Sequence, residues 1–160
     1  MTTTPGSAHL PALGTHEREE IGRQFQATLV ELVDLSLVGK QLHWTVVGPL
    51  FRPLHLYLDE LVASWRELSD AVAERSVAVG VFPDGQASAV SAADEDGPIE
   101  AAATTDHAVV AELVRRVAEV SERTRTRMDR LGELDLASQD VLIEVLRALE
   151  EQLWMLRSQL

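Results

Sequence analysis

Cysteine is absent from the 160 residues, which excludes disulfides and thiolate metal sites alike. Lysine occurs once, as Lys40, and 26 acidic residues face 14 basic ones, for a formal net charge of −12. Nucleic-acid binders generally carry a basic patch or tail, and this composition offers little material for one. An acidic surface serves solubility first and attraction of cations second. No basic segment followed by an apolar run opens the chain, and no apolar stretch reaches membrane-spanning length. A cytoplasmic protein is therefore the default expectation. Rossmann-type and P-loop glycine patterns are missing too. The length suits one domain with a substantial core.

What the chain does contain is helical periodicity. Residues 1–14 are small and polar with two prolines and two glycines, and read as a flexible tail that includes His9. Thr15 is expected to cap a first helix running to about Val46, with Ile21, Phe25, Leu29, Leu32, Val33, Leu35, Val38 and Leu42 on its apolar face. Val47-Gly48-Pro49 breaks it. A second helix is expected to begin with Pro53 at its first position and to stop at Gly80. Residues 82–100 form a polar connection too long for a tight turn. The third helix spans about Asp106–Leu131, and its arginines read as a solvated, salt-bridged face. After the turn Gly132–Asp135, the fourth spans about Leu136–Ser158. His16 and His107 read as surface residues. Short, long and short connections between four long helices define an all-α, four-helix bundle with one crossover, residues 15–160.

The second helix carries the chemistry. His55 and Asp59 are four residues apart, as are Asp70 and Glu74, so each pair shares a face. All four fall within an arc of roughly 100°. Yet Asp59 and Asp70 are about 16 Å apart along the axis. Bonds from a metal to nitrogen or oxygen are only about 2 Å long, so one chain cannot bring both to one ion. The spacing removes the difficulty through symmetry. His55 and Glu74 lie equidistant from a midpoint near Ser64 and Trp65, and so do Asp59 and Asp70. Two antiparallel copies crossing there on a two-fold axis would place His55 opposite Glu74 and Asp59 opposite Asp70, twice. Imidazole and carboxylate donors suit iron, manganese or zinc.

These residues stand within a longer motif: Lys40, Gln41, His43, Trp44, Val46 and Gly48, then Phe51, Leu54, His55, Leu58, Asp59 and Glu60, then Asp70, Ala73, Glu74 and Arg75. It resembles Dps, the DNA-binding protein from starved cells, a mini-ferritin branch of the ferritin-like superfamily. The similarity runs from about Glu17 to the end. The resemblance implies a ferritin-like bundle with a short helix midway in the crossover, for which Ala87–Ala93 is the candidate. It implies a two-iron ferroxidase centre with His43, His55 and Asp59 from one chain and Asp70 and Glu74 from its mate. Further implications are an oxidoreductase acting on Fe(II) with hydrogen peroxide, and a hollow homo-dodecamer that stores ferric iron and limits oxidative damage. An acidic pore is implied as well, with Glu133, Asp135 and Asp140 as candidates, although Asp135 reads equally well as a helix cap. Trp44 has two readings, an electron donor beside His43 and a core residue. Trp65 and Trp154 read as interface and core residues.

Rival readings fare worse. A ferritin or bacterioferritin centre needs Glu-x-x-His, and no histidine has a glutamate three residues before it. A zinc peptidase needs His-Glu-x-x-His, and position 20 is Glu20. The alternative from another class is a nucleoid-associated protein that binds and protects DNA with iron chemistry secondary. The resembled family often binds DNA through a basic tail, and residues 1–14 contain no lysine or arginine.

Overall fold

The structure is a computed structural model that describes residues 10–94 and 97–160. Four long helices make up the bundle: α1 (Thr15–Thr45), α2 (Phe51–Ala78), α4 (Asp106–Gly132) and α5 (Leu136–Arg157). A short helix, α3 (Ala87–Ala93), lies in the crossover, where it was expected. Two strands of two residues, β1 (Val46–Val47) and β2 (Thr104–Thr105), pair in parallel, Val46 with Thr104 and Val47 with Thr105. They fasten the α1–α2 turn to the start of α4. No helix among the described residues is long and apolar enough to cross a membrane.

The expected apolar faces turn inward. Ile21, Phe25, Leu32, Leu58, Val72, Leu113, Val117, Leu142 and Leu149 are buried in one core. Trp65 joins them and has no exposed surface, so it cannot stand at an interface as expected. Its indole packs on α1 at Gly39, where an added Cβ would come within 2.8 Å of the ring and of Val62. Its Nε1–H donates to Gln152 Oε1 at 2.8 Å, and Gln152 Nε2 donates to Ser64 Oγ at 3.0 Å. This relay ties α2 to α5 and satisfies polar groups that are costly to bury alone. Trp154, expected inside, is 67% exposed.

The helix ends show how each element is set. Thr15 does not cap α1; Gly14 occupies that position without a side-chain hydrogen bond. Phe51 and Arg52 extend α2 backwards, which moves Pro53 to its third residue, still within the first turn whose N–H groups lack helical partners. Gly80, with φ at 93°, ends α2 as expected. Val81 N–H reaches back to Ser76 O and Gly80 N–H to Val77 O, both at 2.9 Å, which closes the helix in a Schellman motif. Thr105 caps α4 and Asp135 caps α5.

Of the expected tail, residues 1–9 lie outside the described residues. Residues 10–14 are held against the bundle by Arg18, which donates to the carbonyls of Pro11, Leu13 and Val79. The α4 arginines are salt-bridged as expected, with one correction to the solvated face. Arg116 is buried, bonded to Glu112 Oε1 at 2.6 Å and to the Gly97 carbonyl at 2.7 Å. It holds the crossover rather than facing water. Arg123 and Arg127 converge on Glu31 of α1.

Candidate metal centre

The centre begins where α1 ends. His43 lies in the last turn of α1, and its carbonyl is among those the helix cannot satisfy. His55 lies in the second turn of α2, directly beside it. The two residues bond reciprocally: His43 Nδ1 donates to the His55 carbonyl at 2.8 Å, and His55 Nδ1 to the His43 carbonyl at 2.9 Å. A carbonyl can only accept, so both rings carry a proton on Nδ1, and the neutral form of each has its lone pair on Nε2. The rings stack with centroids 3.6 Å apart, and Phe51 stacks on the outer side of His55 at 5.1 Å. His43 is buried and His55 half-buried. This is the arrangement a pair of nitrogen ligands requires, with Nδ1 held by backbone and Nε2 available.

Asp59, one turn beyond His55, is half exposed. Its Oδ1 accepts from Lys40 Nζ at 2.5 Å and lies 3.5 Å from His43 Nδ1. The hydrogen bond from Lys40, together with its charge, outweighs burial and holds the Asp59 carboxyl below its usual range. It stays ionised and acceptor-only. The Lys40 ammonium also sits 6.0 Å from the Trp44 ring centroid. Trp44 itself is 69% exposed, so its reading as a core residue of this chain is wrong. It projects from α1 on the side of Leu37, seven residues earlier and 56% exposed.

Asp70 and Glu74 are exposed further along α2 and have no hydrogen bond or ion pair among the described residues. Asp70 opens onto a shallow groove lined by Arg66, Ser69, Ala73, Leu29 and Pro83. Within one chain, no group of three histidine or acidic residues among those described could hold a metal ion. A centre made of these five side chains therefore requires a second chain. The burial of Trp65 also refines where such chains could meet. On the outward face of α2 the positions nearest the midpoint and equidistant from it are Ala63 and Arg66, and Ala63 is small.

The pore candidates are divided. Glu133 and Asp140 are exposed, Glu133 pairing with Arg130 at 2.6 Å. Asp135 is committed to local structure: its Oδ2 accepts from Ser138 N at 3.0 Å and from Arg75 at 2.7 Å. Burial works against its charge, but the bonds from Ser138 and Arg75 outweigh it and hold the carboxyl below its ordinary range. The sequence reading missed the engagement of Lys40 with Asp59 and the stacking of Phe51, although both residues lie in the motif.

Comparison with known proteins agrees with this architecture. Residues 23–160 match the ferritin-like domain. The chain is 33% identical over 153 residues to the DNA protection during starvation protein of Mycolicibacterium smegmatis, covering 94% of this chain and 82% of that one. It is 32% identical to DNA protection during starvation protein 2 of Deinococcus radiodurans, covering 93% of this chain but only 62% of the relative's length. Among solved structures, Mycobacterium smegmatis Dps in its tetragonal form superposes with a TM-score of 0.91 at 32% identity, over 100% of this chain and 94% of that one.

Proposed function

Because the chain belongs to the Dps branch of the ferritin-like family, we propose that it oxidises Fe(II) at centres shared between two copies and stores the ferric product in a hollow oligomer. The observation that carries this reading is the imidazole pair. Two stacked rings are locked through Nδ1 by the backbone, which leaves Nε2 as the nitrogen each would offer a metal, beside an ionised Asp59. Asp70 and Glu74, bare and at mirrored spacing, supply the other half from the mate. Iron is substrate here. Hard carboxylate oxygens favour the ferric product over Fe(II).

Hydrogen peroxide is the proposed oxidant. Two Fe(II) ions give one electron each; with two protons, peroxide leaves as two waters. Consuming both reagents together prevents the one-electron reaction that releases hydroxyl radical, so protection of DNA follows from chemistry alone. Direct DNA binding draws less support. The arginines of α4 are largely occupied by Glu31, Glu112, Glu119, Glu133 and Glu150. A dodecamer is the proposed assembly, with Trp44 as the outward electron donor and Glu133 and Asp140 near the iron passage.

Stopped-flow mixing of the protein with Fe(II), then with hydrogen peroxide or dioxygen, tests the reading. Wild-type protein is expected to oxidise Fe(II) faster with peroxide. Replacing His55 and Asp59 by alanine is expected to abolish the fast phase with helicity retained. Unchanged rates in that variant refute the centre.

A further inference from the structure

The turn that joins α1 to α2 is held from outside the hairpin, by the first residue of α4. Asp106 accepts the backbone N–H of Leu50 through Oδ2 at 2.8 Å and that of His107 through Oδ1 at 2.9 Å. The carboxylate is pressed against the turn. At Gly48, where φ is 131°, an added Cβ would lie 2.5 Å from Oδ2. The β1–β2 pairing holds the same turn from its other end, at Val46 and Val47. Leu50 is the N-cap position of α2 and makes no side-chain capping bond of its own. Asp106 is thus the side-chain acceptor for the N-cap residue of α2, beside the Gly48 carbonyl, which accepts from Phe51 N–H at 3.0 Å.

The next residue is Phe51, whose ring stacks on His55, and His55 stacks on His43. One run of contacts therefore leads from Asp106 through Leu50, Phe51 and His55 to His43. We propose that Asp106 is a positioning residue for the imidazole pair. By holding Leu50 it sets the height of the first turn of α2 against the last turn of α1. That height is the register in which each imidazole reaches the other residue's carbonyl. The two Nδ1–O distances, 2.8 and 2.9 Å, leave little room. A slide of about 1 Å takes such a contact beyond hydrogen-bonding range. An imidazole that loses its Nδ1 acceptor is free to carry the proton on Nε2, and that nitrogen can then no longer bind a metal.

The effect on metal binding rests on the proposed function; the effect on the rings does not, and the test keeps them apart. Assembled full-length protein with nitrogen-labelled histidine is sedimented for solid-state NMR, at a pH where both imidazoles are neutral. Signals of His43 and His55 are assigned by single substitution to glutamine. In wild-type protein both rings are expected in the Nδ1–H form. Asp106→Ala is expected to give a mixture of tautomers and to weaken binding of Zn(II), titrated alone as a redox-inert probe, by about tenfold. Asp106→Asn keeps an oxygen acceptor for Leu50 and is expected to recover most of both properties. Thr105→Ala is the control for simple destabilisation. It removes the α4 cap but leaves Leu50 held, so tautomers and affinity should match wild type. The proposal is overturned if Asp106→Ala keeps the wild-type tautomers, or if Thr105→Ala reproduces the loss. Should His55→Ala leave Zn(II) affinity unchanged, the metal reading fails, and the tautomers still decide the role of Asp106.

Discussion

Two variants that are each inactive are expected to regain activity when they share a dimer. One carries His55→Ala and Asp59→Ala; the other carries Asp70→Ala and Glu74→Ala. Three of the four positions are exposed and His55 is only half-buried, so both variants should fold. Surface substitutions of this kind usually change stability by no more than about 0.5 kcal/mol. In a mixed dimer, one centre receives His55 and Asp59 from one chain and Asp70 and Glu74 from the other, and is whole. The second centre receives none of them. Random pairing makes about half of the dimers mixed, each with one of two centres intact, so about a quarter of the wild-type burst is expected. The assay is stopped-flow Fe(II) oxidation with peroxide on the co-expressed pair, against each variant alone and against the two mixed after separate assembly. A co-expressed sample no faster than its parents would show that all ligands come from one chain, or that these residues are not the ligands.

Three further outcomes follow from individual contacts. Lys40→Leu frees Asp59 Oδ1 and removes a cation from beside the centre, so Zn(II) measured by calorimetry should bind roughly tenfold more tightly; equal or weaker affinity shows that Lys40 does not compete with the metal. Asp135, whose folded carboxyl lies below its usual value of 3.8, contributes stability that is fully present above that pH and is lost as pH falls through the lower folded value. Asp135→Asn should therefore flatten the acid limb of stability below pH 3.8 in urea titrations and, by removing the charge paired with Arg75 while keeping a capping oxygen, cost about 1 kcal/mol at neutral pH. Gln152→Leu strands the buried Trp65 N–H and should cost about 1–3 kcal/mol in the same titrations while leaving Fe(II) oxidation intact.

Most of the bundle was legible because its helices obey one rule for long stretches. Apolar residues recur every three or four positions, and Val47-Gly48-Pro49, Gly80 and the turn ending at Asp135 punctuate them. The two short strands carry no such pattern, since two residues have no period to read. The tryptophans are more instructive. Trp65 lies three residues from both Val62 and Leu68 and seven from Val72, on the apolar stripe, so its burial was written in the spacing. Trp154 follows Arg147 and Glu150 by seven and four residues and shares their outward face. For both residues the helix period alone accounts for the exposure the fold shows.

The candidate centre divides along a different line. Its ligand types and their mirrored positions sit within one helix and could be read directly from residue numbers. The features that prepare the histidines span larger separations: 12 residues between the two rings, 19 between Lys40 and Asp59, and 56 between Leu50 and Asp106. Contacts of that range leave no local signature; only the closed bundle creates them. The resulting halves differ physically. The imidazoles have Nδ1 protons that backbone carbonyls accept, so their half can be organised by folding alone. Asp70 and Glu74 are like charges one turn apart, and without a cation they are best left in water. A carboxylate pair fixed in a dry pocket would oppose folding, because desolvating unpaired charge costs several kcal/mol per ion. Placing the acids on the open face of α2 and the histidines in its shelter lets each chain fold without iron. In the proposed centre the charged half meets the cation only where two chains close over it.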